Sequence, residues 1–419
     1  MDIDEVIEDF VDGFLYSNSN AQEEHLDIIK NSLTDIIKDI LNNSDSLEGD
    51  CIKLSKLNIY NEVPFTVLMS ELNYLKKIFL SVFIENSAIQ EMLLLHEIYI
   101  KIEKYVAKQY LDEYLKKLSK NNIVRLHSLH HLIGMEFINY YEQHIVWLNS
   151  LVESIRCLDK DKMPELESSL CVFGYWLLNN AKDIIKTDSE HKNLLNRHER
   201  LHNIARLILK QLNKNEDEID YHILMTYMES SELISLFIGT ELALLDNCHM
   251  IQKTKKDKVS GAIKSDSLNM LFTNQYELSL ATNSSFILAI CDLDNCKNIH
   301  DTYGDSSSDR LLKEFVNIAK NVLRNSDIIM RYDTEKFIII LLNSDSHAAD
   351  KKFNELRMVL ENFSLNYQEK TLKTTLSVGY VEIKPPNDIS DDGINVMRYV
   401  KSAERKLLEA QMDGENQVV

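Results

Sequence analysis

ICDLDNCKNIHDTYGDSSSDRLL, residues 290–312, leaves an apolar run through two acids, Asp292 and Asp294, and continues into an amphipathic stretch. RYDTEKF, residues 331–337, follows as a polar break between two apolar runs. The runs 286–291, 328–332, 337–342 and 374–383 are short and rich in β-branched residues, the composition that fits a pleated surface. Helical patterns lie between them. The order strand, helix, tight hairpin, helix, strand, helix predicts an α/β sandwich with a central, mostly antiparallel sheet. Asp292 and Asp294 end the first strand, and Glu335 lies in the turn of a hairpin that could pair beside it. Carboxylates so placed suit a hard cation such as magnesium, although strand-end acids are commonly no more than solvated.

Upstream the pattern changes. Only Pro64 and Pro164 precede residue 385, and glycine is sparse at 10 of 419 residues, so residues 1–250 can be nearly all helix. Leu68, Leu72, Leu75, Phe79 and Val82 recur at three and four, as a buried helical face requires. The basic stretch KTKKDK at 253–258 and Gly261 read as a junction. A chain of 419 residues exceeds what one core usually serves, so two or three domains are expected. The net charge of −20 repels polyanions and argues against nucleic acid or an anionic membrane surface as the main partner. The acidic start MDIDEVIEDF lacks the order of a secretory signal. No uninterrupted apolar run approaches the ~20 residues of a spanning helix. Six cysteines without a paired framework fit reduced thiols, and the expected location is the cytoplasm.

Residues 290–312 and 331–337 resemble the first strand, loop and signature hairpin of the GGDEF (diguanylate cyclase) family, bacterial enzymes that join two GTP molecules into cyclic di-GMP using two facing protomers and divalent metals. The resemblance covers residues 262–419. It implies that Asp292 and Glu335 are metal carboxylates and that Asp309 contacts guanine. It also implies a degenerate signature at Asp333, Thr334, Glu335 and Lys336, because the family's two glycines and final acid are replaced there. His300 stands for a guanine-contacting Asn, and Ser308 for a glycine. Gln411 and Glu415 stand where a Lys and an Arg normally meet triphosphate, and with Asp333 and Lys336 the site's charge changes by a net −2. At ~1.5–3 kcal/mol per charge-assisted bond, losing two such donors implies nucleotide binding weaker by several decades. Arg324-Asn325-Ser326-Asp327, separated from Asp333 by five residues, matches the family's R-x-x-D inhibitory site, which binds cyclic di-GMP. Arg can fork onto phosphate or a guanine edge and Asp can accept from guanine N–H groups, whereas a chance Arg-x-x-Asp is usually a surface ion pair.

His144, Cys171, His198 and His202 form a second constellation. His198-x-x-x-His202 puts two imidazoles on one helical face, and a third His with a thiolate completes a tetrahedral set suited to zinc. Core and surface histidines beside a structural Cys are the plainer reading. The four residues with Trp147, Gly174 and Trp176 resemble the chemoreceptor zinc-binding domain, a four-helix bundle. His191 is assigned to solvent. Residues 57–79, LNIYNEVPFTVLMSELNYLKKIF, resemble the globin of globin-coupled sensor cyclases, with Asn58 where the haem-ligating His lies six residues before the proline. Haem is therefore not expected, and His96, His127, His130 and His131 are read as ordinary helix residues.

The expected organisation is an all-α N-terminal two-thirds followed by an α/β domain. It comprises a vestigial globin-like sensor (1–135), a zinc-binding helical bundle (136–250), a linker (251–262) and a degenerate GGDEF domain (263–419). The expected function is cyclic di-GMP signalling by a catalytically impaired, homodimeric protein that binds cyclic di-GMP through Arg324 and Asp327 and acts on an unidentified protein partner. The alternatives are an active diguanylate cyclase with an unusual signature, and a zinc-sensing interaction module that binds no nucleotide.

Overall fold

The computed structural model describes residues 35, 36, 38, 46–85, 89–185, 187–368, 370–385 and 394–419; the reading of residues 1–34 as part of a sensor lies outside them. The chain divides into two compact units, one of residues 1–119, 150–163 and 203–231, the other of 120–149, 164–202 and 232–419.

The first unit is helical. α1 (Leu47–Tyr60) is followed by α2 (Phe65–Glu85), which starts directly after Pro64, where a missing N–H and a fixed φ suit a helix start. Leu68, Leu72, Leu75 and Phe79 are all buried, as their spacing requires. Tyr110, on α3 (Ile89–His130), donates its hydroxyl to the Val63 carbonyl at 3.0 Å and secures the turn before α2.

The helices of the second unit include residues of α4 (Ile138–Arg156), α5 (Val172–Asn179), α6 (Asp188–Leu212) and α7 (Tyr221–Lys253). Asp246 on α7 accepts from the N–H groups of Glu136, Phe137 and Ile138 at 2.8, 3.0 and 2.6 Å, meeting the orphan donors of α4 with a carboxylate at its positive end. α7 is long and apolar enough to cross a membrane, although half of its apolar window is buried inside the protein. Polar residues interspersed along α7 break its apolar run without making the helix polar.

The same unit contains the α/β domain. Its strands are β1 (Ile263–Lys264), β2 (Phe286–Leu293), β3 (Ile328–Arg331), β4 (Lys336–Leu341), a side hairpin β5 (Leu365–Tyr367) and β6 (Lys370–Leu372), and β7 (Leu376–Ile383). The main sheet runs β1-β3-β4-β2-β7, antiparallel except for β1 beside β3. The mostly antiparallel expectation holds. The parallel pair escaped it because two residues carry no readable alternation. Its helices are α8 (Leu268–Thr282), α9 (Cys296–Tyr303), α10 (Asp305–Val322), α11 (Ser346–Asn362) and α12 (Val396–Met412).

All eight residues of β2 are buried, which explains its unbroken apolar run. Ile287, Ala289 and Cys291 enter one core with Phe315 of α10 and Phe353 of α11. Phe286 turns to the other face, 5.5 Å from the Phe272 ring of α8. Alternation therefore aims Asp292 at the α12 side. α12 lies close because Gly379 has no side chain: a Cβ there would fall 2.0 Å from the Leu407 nitrogen. Before β1 the chain closes a tight clasp, with Lys256 bridged to Ile263 and the Asp257 N–H donating to the Ala262 carbonyl at 2.7 Å.

Candidate functional site

Asp292 and Asp294 are two residues apart and differ in every contact. Asp294 accepts from Thr375 Oγ1 at 2.6 Å, Ser377 Oγ at 2.7 Å and the Asn416 N–H at 3.1 Å. Its carboxylate joins the end of β2 to β7 and to the segment after α12. Asp292 has one tie, from Gln411 Nε2 to Oδ2 at 3.0 Å, while Oδ1 is buried with no hydrogen-bond partner. Burial pushes the Asp292 carboxyl up to about 6; Lys336, directly opposite on β4, pulls it down, and Glu335 pushes it further up. A cation here would meet one open oxygen of Asp292 and the half-buried Glu335, and would compete with the Lys336 ammonium. Gln411 filling the Asp292 side was not visible in the sequence, where Gln411 reads only as a missing phosphate anchor.

The hairpin turn is polar and exposed at Asp333 and Thr334, and the Thr334 N–H donates to the Asp333 carboxylate at 2.8 Å. Arg331, at the root of the hairpin, donates to Asp257 at 3.0 Å and to the Thr334 carbonyl at 2.8 Å. Asp309 is exposed on α10. His300 is exposed, and its hydrogen bonds to Asp301 and Asp305, at 3.1 and 2.7 Å, raise its pKa.

Arg324 is exposed just beyond α10, whereas Asp327 is buried. Asp327 accepts from the N–H groups of Arg324 and Leu342, at 2.9 and 3.3 Å. Burial pushes its carboxyl up to about 6 against those two donors. The two side chains share one turn, with the carboxylate committed to backbone and the guanidinium outward.

In the helical part, His144 on α4, His198 and His202 on α6, and Cys171 at the N-cap of α5 offer ligand atoms that all lie within 4.8 Å of one another. Among the described residues this is the one such His/Cys/acid cluster. Cys171 Sγ is 3.1 Å from His198 Nε2 and accepts from the Gly174 N–H at 3.2 Å. Gly174 is needed for this approach: a Cβ would fall 1.8 Å from the Ser168 carbonyl oxygen and 2.7 Å from His198 Cε1. Phe173 and Trp147 pack against the imidazoles. Burial and the neighbouring histidines drive the His144 pKa well below its ordinary value, and burial with His202 takes His198 to about 3. Both ring nitrogens of His144 are buried without a hydrogen-bond partner. Neutral, desolvated imidazoles beside a thiol are the donor set zinc takes, with ligand atoms ~3.3–3.8 Å apart around a tetrahedral ion.

His191 is not a solvent residue: it is half-buried and meets the Leu177 carbonyl at 2.8 Å, since the turn before α6 folds it back on α5. Asn58 is fully buried, its amide donating to the Leu54 carbonyl at 2.9 Å. His96, His127, His130 and His131 are exposed.

Residues 262–417 match the family described as diguanylate cyclase, GGDEF domain. Diguanylate cyclase A of Treponema denticola is 28% identical over 177 residues, covering 42% of this chain and 46% of that protein, so the chain spans about half the length of this relative. Diguanylate cyclase DgcZ of Escherichia coli is 22% identical over 280 residues, covering 66% of this chain and 89% of that protein. That alignment is longer than the α/β domain and reaches into the helical part. Among solved structures, the GGDEF domain of DgcB from Caulobacter crescentus in complex with c-di-GMP covers 39% of this chain and 91% of its own, at 19% identity and TM-score 0.36. Diguanylate cyclase SiaD with its activator SiaC from Pseudomonas aeruginosa covers 58% and 96%, at 23% identity and TM-score 0.37. The C-terminal α/β region thus matches the GGDEF domain family, and a helical region precedes it.

Proposed function

We propose that this GGDEF domain has exchanged synthesis for recognition: it makes no cyclic di-GMP, binds it at Arg324 and Asp327, and passes that state to a protein partner under the influence of a zinc-binding helical region. The observation that carries the reading is the Gln411 amide on Asp292 at 3.0 Å. A neutral side chain there holds the metal acid where the family resemblance calls for a lysine that anchors triphosphate. Synthesis needs phosphates fixed in line between two protomers, and a carboxylate with a cation but no anchors does not fix the attacking geometry. Magnesium in this reading has only Asp292 and Glu335 as protein ligands. Incubation with GTP and magnesium followed by nucleotide chromatography tests it: GTP unchanged is the expected result, and cyclic di-GMP formed on repeated turnover would return the domain to the cyclases.

The zinc part rests on the buried ring nitrogens of His144 facing the Cys171 thiol and two further imidazoles. One zinc per chain would take up one of the two buried His144 nitrogens that protein groups leave open. We further propose a cytoplasmic homodimer without haem, since Asn58 supplies no imidazole to iron.

A further inference from the structure

A cavity of roughly 180 Å³ lies between the last turns of α7 and the segment that follows α10. Its wall carries three cations, Lys256, Lys320 and Arg324, and one acid, Asp327. In a chain with a net charge of −20 this is a local reversal of sign. Asp327 offsets one of the three cations and leaves an excess of two positive charges (3 − 1), with its carboxylate turned onto the N–H groups of Arg324 and Leu342.

The cations are placed by structure. Lys320 lies in the last turn of α10 and Arg324 in the segment just after its end, and both line the same cavity. Lys256 is held in the clasp before β1: its own backbone bridges Ile263, and the Lys264 N–H donates to the Lys255 carbonyl at 3.2 Å. Its ammonium donates to the Ile251 carbonyl at the end of α7, at 2.7 Å, which leaves further N–H donors. Partial burial and the nearby Lys320 charge both lower the Lys256 pKa, a repulsion that a bound anion relieves. The volume is enough to accept a phosphate group.

We infer that this cavity is an oxyanion site, in which one phosphate group is held by Lys256, Lys320 and Arg324 and its arrival fixes the linker that carries Lys256. The inference rests on the reading of Arg324 as a nucleotide contact and adds the two lysines to it. It also gives the site a route to the hairpin. Asp257, the next residue, is the partner of Arg331, so a linker pinned at Lys256 holds the pair that braces the signature turn.

Calorimetry on the full chain in phosphate-free buffer, with cyclic di-GMP and with inorganic pyrophosphate, tests this on Lys256→Gln, Lys320→Gln and Arg324→Ala. Each lysine variant is expected to bind cyclic di-GMP about tenfold more weakly, the scale of one charge-assisted bond, with pyrophosphate competing in the wild type. Lys256→Arg should recover the affinity, which a merely structural loss would not allow. Wild-type affinity for cyclic di-GMP in both lysine variants would overturn the inference while leaving Arg324 as a contact. Lysine-dependent binding of pyrophosphate alone would uphold the oxyanion site and overturn the dinucleotide reading. No binding of either ligand by the wild type would overturn both.

Discussion

The His/Cys quartet and the acid pair at the end of β2 are built from similarly reactive residues, and the protein treats them in opposite ways. Around His144 the ligand atoms converge to within 4.8 Å of one another, and both ring nitrogens of His144 lack a hydrogen-bond partner while the Cys171 thiol meets His198 and the Gly174 N–H. Around Asp294 every approach is filled by Thr375, Ser377 and Asn416, and one oxygen of Asp292 is taken by Gln411. Unmet hydrogen-bonding capacity, rather than residue type, separates a poised site from a structural joint.

The largest expected effect breaks the first half of this contrast. Purified protein should carry about one zinc per chain, and Cys171→Ala with His202→Ala should abolish it, because two remaining donors do not hold the ion. Full zinc in the double variant by metal analysis would remove the assignment. The next prediction addresses the second half. Asp294→Ala should destabilise the protein by about 3–4 kcal/mol in urea unfolding, because it strands the Thr375 and Ser377 hydroxyls and leaves the Asn416 N–H only its bond to Ser377 Oγ. Asp292→Asn should change stability by less than about 1 kcal/mol. Equal losses at both positions would erase the distinction between joint and site.

A pH series sharpens it. Asp327 titrates near 6 when folded against an ordinary value of 3.8. Its folded pKa is raised, so its contribution to stability is full below pH 3.8 and is lost as pH rises through 6. Relative to Asp327→Asn, the wild type should lose up to about 3 kcal/mol between pH 3.5 and pH 7. A difference that stays constant across that range would show that burial does not govern this carboxyl. Arg324→Ala should weaken cyclic di-GMP binding by ~1.5–3 kcal/mol, or about ten- to a hundred-fold, in a calorimetric titration. Unchanged affinity there would remove the receptor reading.

The readable parts of this chain are those set by local periodicity. β2, β3, β4 and β7 announce themselves by β-branched runs, and the face of α2 by its three-and-four spacing. The quartet is readable for a related reason: His198 and His202 share a helical face by spacing, and Cys171 sits at a helix cap. What stayed hidden depends on groups far apart in the chain. Gln411 reaches Asp292 across 119 positions, and Ser377 reaches Asp294 across 83. β1 has two residues and no pattern, and β5 and β6 have three each. The KTKKDK stretch reads as a junction because nothing local reveals that the clasp with residues 262–264 turns Lys256 into a cavity.

The joint at Asp294 has a consequence for how this domain can change. The donors that hold it, Thr375, Ser377 and Asn416, are separate from the hairpin turn at residues 333–336 and from Gln411, so a substitution in that turn or at Gln411 removes none of the joint's hydrogen bonds. In a domain wired in this way, the closure of the sheet and the surroundings of Asp292 are open to separate change.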